Sequence, residues 1–137
     1  MVILLALFGM ICWGIAPIFA KIGLSNISPV VGLTIRTLFA GSIVLSWTLI
    51  GGSMPNIKSI PLSTWLLIAI EALLATLIGD LAYFSAIKKG DVSLVTIIMS
   101  SSPLITLLVS AIFLGEQITF IRFVGSAIII IGIILVI

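Results

Sequence analysis

The fourteen residues from Glu71 to Phe84 read EALLATLIGDLAYF. Ten are apolar, yet the stretch holds Glu71 and Asp80, half of the four acidic residues in the chain. On a soluble helix two carboxylates would be ordinary surface. In hydrocarbon each costs roughly 2.5 kcal/mol or more. The composition decides between these settings. The chain has 137 residues, 62% hydrophobic and 7% charged, whereas about a quarter of a soluble domain is charged. A soluble domain of this size could not cover so much apolar surface, so the chain is integral to a membrane. Glu71 and Asp80 then lie inside a span and need a reason to be there.

The same composition excludes several classes of function. Six basic and four acidic residues are too few for a nucleic-acid footprint. There is no histidine, which removes imidazole metal sites and Ser-His triads, and neither a metal nor a cofactor is expected. No Ser-Lys or Asp-Asp constellation stands out, so the chain does not read as an enzyme. Cys12 is the one cysteine and reads as a small apolar filler. The opening MVILLALFGM has no basic segment before it, and the apolar run continues to Ala20. It reads as a first span and not as a signal peptide.

Crossing about 30 Å of hydrocarbon takes about 20 helical residues. Five segments meet that length: 2–23, 30–50, 64–87, 92–114 and 120–137. The expected fold is all-α, with five transmembrane helices and no soluble domain. The runs are continuously apolar and do not alternate, which disfavours a β-barrel. Pro29 after SNIS suits a first helical turn, and Ser63 or Thr64 is placed to cap the third span. In KKGD, Lys88 and Lys89 sit at a helix C-terminus, Gly90 lies past the end and Asp91 is the next N-cap. GEQIT repeats the device before the fifth span. With five spans, Lys21, Arg36, Lys88 and Lys89 fall on the C-terminal side, Lys58 and Arg122 on the N-terminal side. The positive-inside rule leans to N-out, C-in, by a margin so narrow that insertion in both orientations is compatible with it. Trp47 and Trp65 read as interfacial anchors.

Asp80 lies eight residues before Lys88, roughly 12 Å along a helix. Its short side chain cannot reach either interface. It must face a polar cavity, pair with a cation or be protonated. It reads either as a proton-coupling or substrate-cation site, or as a structural hydrogen-bonding group. On a straight α-helix Glu71, nine residues earlier, points to the opposite side, so the two are not an acid dyad. Glu71 and Lys21 are secondary candidates. Lys21 and Arg36 can snorkel, and Arg36 is deep enough to meet an acid or a substrate carboxylate. In MSSSPLIT (99–106), Pro103 interrupts the fourth span and frees a carbonyl near Met99. Ser100, Ser101 and Ser102 can satisfy that carbonyl or line a cavity. Broken helices at the midplane are a transporter device, although proline kinks are also common in spans. Trp13 lies well inside the first span, with Pro17 one turn on. Tyr83 lies on the stripe adjacent to Asp80. Together Trp13, Pro17, Arg36, Tyr83 and Ser101–Pro103 outline a cavity suited to a small amphipathic metabolite. Gly125 and Gly132 share a stripe of the fifth span where a second helix could approach closely.

The segment CWGIAPIFAKIGLSNISPVVGLTIRTLFAG resembles the start of an EamA-type domain of the drug/metabolite transporter superfamily. There, a tryptophan-glycine pair is followed by a lysine, a proline and an arginine at similar spacing. IGDLAYFSAIKKGDVSLVTIIMSSSPLITLLVSAIFLGEQIT resembles the second part of that domain, with its mid-span proline and its glycine-glutamate after the fourth span. The resemblance covers nearly the whole chain. It implies a helical metabolite transporter in which two five-span halves are inverted relative to each other. This chain carries one half, which implies a homodimer, antiparallel for preference, or a paralogous partner half. It lacks the first-span glutamate of the four-span multidrug exporters, so that mechanism is not carried over. The expected function is a secondary transporter half for small metabolites, a multi-pass protein of the cell membrane. A non-transporting membrane subunit and a membrane enzyme or lipid handler are the other readings.

Overall fold

The structure, a computed structural model, describes residues 1–51 and 59–136. Lys58 and most of the long loop lie outside the described residues, as does Ile137. Every regular element among the described residues is helical. They are α1 (Val2–Gly23), α2 (Pro29–Ile50), α3 (Leu62–Ala72), a π-helical segment (Leu73–Gly79), α4 (Asp80–Lys89), α5 (Val92–Met99), α6 (Ser102–Phe113) and α7 (Phe120–Ile134).

Four helical stretches are long and apolar enough to cross a membrane: Val2–Gly23, Pro29–Ile50, Leu62–Lys89 and Val92–Phe113. The chain is a multi-pass membrane protein. The fifth expected span is a shorter apolar helix of 15 residues, which rises about 22 Å. The third span is not one regular helix. Its α-helical ladder gives way at Leu73 to seven residues of wider π turns and resumes at Asp80. The arithmetic that set Glu71 and Asp80 on opposite faces therefore does not apply across this segment, because a π turn takes more residues than an α turn. Gly79 suits the wider turn. A Cβ there would stand 2.9 Å from the carbonyl oxygen of Leu74.

The helix ends follow the sequence in part. Ser28 caps α2, its hydroxyl accepting from the Val31 N–H at 3.3 Å, with Pro29 as the first helical residue. Neither Ser63 nor Thr64 caps α3. Pro61 holds that position in extended backbone without a side-chain bond, so the helix begins at Leu62, earlier than expected. Asp91 sits at the N-cap of α5 but accepts no capping hydrogen bond through its side chain. Thr119 caps α7 by accepting from the Arg122 N–H. Gly115 has φ +66°, a left-handed conformation that glycine adopts without cost after a helix end.

The chain divides into two compact units. One runs from Ile18 to Lys89. Its core is Leu24, Leu33 and Phe84, flanked by Ala20, Ile27, Leu81 and Tyr83. Gly32 brings α2 close to this cluster, since an added Cβ would overlap Leu24 and stand 3.5 Å from Phe84. Two lysines lock the unit at one end. Lys21 at the foot of α1 donates to the Ile87 carbonyl at 2.7 Å and to that of Lys88 at 3.4 Å. Lys88 donates to the Ile27 carbonyl, before α2, at 2.6 Å. Carbonyls at the end of a helix have no partner within it, and the Lys21 ammonium supplies one at the end of α4. The other unit comprises Met1–Pro17 and the chain from Gly90 onward, with α5, α6 and α7.

Candidate functional site

Arg36 is carried by α2 and Asp80 opens α4, directly after the π segment. Arg36 donates from Nη1 to Asp80 Oδ2 at 2.6 Å. The Asp80 side chain is 22% exposed and that of Arg36 51%, so the acid is the more enclosed partner. The guanidinium also lies over the ring of Phe84, its central carbon 5.6 Å from the ring centroid. Phe84 is one turn beyond Asp80 and only 6% exposed, packed against Leu24 and Leu33. The cation therefore rests on a ring whose position the core fixes. The half-buried Tyr83 lies on the same helix, packed against this core cluster with its ring 6.2 Å from that of Phe84. Arg36, Asp80 and Tyr83 are thus brought together. Phe84 was not singled out in the sequence, although its place four residues after Asp80 puts it on the same face.

Ser101, Ser102 and Pro103 lie where the fourth span breaks. Helix α5 stops at Met99 and α6 restarts at Ser102, with Pro103 in its first turn, where a missing N–H costs nothing. The Ser100 hydroxyl donates to the Ile97 carbonyl and that of Ser101 to Ile98, each at 2.6 Å. The serines thus satisfy carbonyls one turn back, earlier in the chain than Met99. Ser102 and Pro103, with Thr106, Ser110, Glu116 and Arg122, line an open cleft of about 380 Å³. Thr106, Ser110, Glu116 and Arg122 were not part of the cavity expected from the sequence. Their one signal was the four-residue spacing of Ser102, Thr106 and Ser110 along one face of α6.

The remaining candidates are placed as follows. Trp13 stands on α1 with its side chain 83% exposed. Lys21, expected to snorkel or take part in transport, bonds to backbone at the end of α4. Glu71 is exposed on α3, before the π segment. Around Gly125 and Gly132 on α7, nothing lies within 4 Å of where a Cβ would be.

The description of the EamA-like transporter family matches residues 1–137. The chain is 32% identical to an "Uncharacterized transporter" of Archaeoglobus fulgidus over 117 residues, 85% of this chain and 41% of that protein. It is 31% identical to an "Uncharacterized transporter" of a Sinorhizobium species over 115 residues, 84% of this chain and 81% of that one. A Methanocaldococcus jannaschii protein is 40% identical over 67 residues, 49% of each chain. This chain thus spans less than half of the archaeal transporter, while the other two proteins are close to its own length. No solved structure matches the chain significantly. The family match runs over the full sequence and two transporter-named relatives are 32% and 31% identical to it, so the chain belongs to the EamA-like transporter family.

Proposed function

We propose that the chain is one half of a secondary transporter that moves small metabolites across the cytoplasmic membrane, and that it works as a dimer. The observation that carries this reading is the Arg36–Asp80 pair on two membrane helices, beside a π segment in one of them. Charges inside a span are expensive and mark ion or substrate pathways, and π segments are frequent at functional sites. Asp80 is a group whose charge can change. Water or a cation favours the carboxylate, while apolar closure favours the neutral acid. Alternation between those settings would couple proton movement to alternating access.

The dimer rests on length. The Archaeoglobus relative is more than twice as long as its matched segment, while the Sinorhizobium relative is only slightly longer than its own. Single-length and double-length chains of one family are what is expected if two halves make the working unit, joined covalently in one case and by association in the other. The subunits would be two inverted copies or a copy and a paralogue.

The test is flux in proteoliposomes of the purified protein alone. Solute-driven proton movement, or proton-driven solute movement, supports a transporter. Full flux from vesicles holding no more than one chain each would remove the dimer. Absence of flux for every class of solute from a stable, correctly inserted dimer would replace the reading with a non-transporting membrane subunit.

A further inference from the structure

We propose that Arg36 docks the carboxylate of an anionic metabolite, that Asp80 is the built-in carboxylate which this ligand displaces, and that Asp80 takes up a proton as it is released. This rests on the reading of the site as a transport site and adds its substrate class.

The two members of the pair are held differently. Arg36 stands on the Phe84 ring, which is buried against Leu24 and Leu33. That support remains when Asp80 is absent. Asp80 has the π segment immediately before it. The α-helical ladder is interrupted there, at a kind of segment frequent at functional sites, and Asp80 is taken as the movable member. A cationic ligand at Asp80 would have to displace a guanidinium from its aromatic seat. An anionic ligand at Arg36 has to displace only the side chain beside the π turns. Arg36 is also the more exposed of the two, so its guanidinium keeps an open side. Its fork of N–H donors suits the two oxygens of a carboxylate.

Charge balance then fixes the stoichiometry. Arginine stays protonated in proteins, so the site always holds one positive charge. With Asp80 ionised on Arg36, the pair is neutral. With a ligand carboxylate on Arg36, Asp80 is left without its cation in weakly solvated surroundings, where the neutral acid is favoured. One proton, taken from the aqueous side open to the site, binds an Asp80 carboxylate oxygen. The site is neutral again. One monocarboxylate and one proton therefore enter together, with no net charge moved. A doubly charged phosphate would leave the loaded site negative and is disfavoured in hydrocarbon.

The test is equilibrium binding to the protein in lipid nanodiscs, read together with a pH dye in weakly buffered solution. The probes are propionate and benzoate, two monocarboxylates of different bulk, each set against its own amide and amine, with inorganic phosphate, held above its second pKa, as the dianion. At least one carboxylate is expected to bind at least about tenfold tighter than its amide, amine or phosphate counterparts. Proton uptake should approach one per bound carboxylate. Arg36→Gln should abolish saturable binding, and Arg36→Lys should retain part of it. Asp80→Asn removes the competitor and should bind the carboxylate about tenfold tighter, with no proton uptake. Asp80→Ala checks that result if the amide itself holds Arg36. Helicity and size-exclusion behaviour report that each variant is folded. The inference is overturned if neither carboxylate outbinds its amide, if folded Asp80→Asn and Asp80→Ala both lose binding, or if either keeps the proton uptake. Flux of a cationic or neutral solute without carboxylate binding would overturn this inference and leave the transporter standing. Saturable, proton-linked carboxylate binding with no flux of any solute would do the reverse.

Discussion

At the scale of single residues, Asp80 carries the most testable weight. Asp80→Asn keeps size and hydrogen bonding and removes the titration. In proteoliposomes it should leave insertion and folding intact, abolish proton-driven transport and flatten the pH profile. Glu71→Gln, at an exposed position on α3, should change the rate far less. An Asp80→Asn protein with the normal rate and pH profile would reduce Asp80 to a packing residue. Lys21→Met tests the other strong local interaction. Hydrogen bonds from charged groups contribute about 1.5–3 kcal/mol, and this one also supplies carbonyls at a helix end. The substitution should lower the thermal midpoint without changing the affinity for any ligand. That Asp80 needed a partner was legible in the sequence, because a short acid so far from either interface has few ways to exist. Its pairing with Arg36 was legible only as one option. The role of Lys21 was not legible at all. A lysine at a helix end looks the same in sequence whether it reaches water or a neighbouring backbone, and residues 66 positions apart in the chain give no periodic signal of their proximity.

At the scale of elements, the informative features are the interrupted third and fourth spans. The break at Ser100–Ser101 was readable, because Pro103 cannot continue a helical ladder and three serines beside it can repair one. The π segment was not. LLATLIG has no proline, and apolar residues serve α and π turns equally well. Gly79 was its only mark, and its function appears only when its surroundings are known. Gly79→Ala would put a methyl against the Leu74 carbonyl. It should convert the segment toward α-helix and turn Asp80 away from Arg36, seen as lost proton coupling with overall helicity unchanged. Packing can be tested at Gly32. Gly32→Ala overlaps Leu24, which is only 2% exposed, and overpacking typically costs about 1–3 kcal/mol. Gly41→Ala, with open space around it, should be neutral or slightly stabilising on the same helix. Comparing the two melts separates the close approach from helix propensity.

At the scale of the whole molecule, the four long apolar stretches and the shorter apolar helix α7 lie on segments that composition made plain. Hydrocarbon demands length and apolarity, and both are visible in a sequence. Partnership is less visible, since lipid-facing and partner-facing residues have the same chemistry. Gly132→Leu starts from a position where nothing among the described residues lies within 4 Å of an added Cβ. It should leave the monomer's stability unchanged while weakening a dimer that uses α7, measured by cross-linking or single-molecule brightness in vesicles. Cysteine labelling near both termini of a Cys12→Ala protein should reveal N-out, C-in chains with an inverted population. A strictly single orientation would favour a paralogous partner. Among the described residues, the few buried large apolar side chains, Leu24, Leu33, Phe84 and Ile87, have one more consequence. In the proposed dimer, large apolar residues on the surface would face acyl chains before association and other side chains after it, so its formation would withdraw almost no hydrocarbon from water. The heat capacity that marks soluble assembly arises from that withdrawal. For this protein, the association enthalpy measured in bilayers should therefore be nearly independent of temperature, with attraction coming from close packing and the release of lipid.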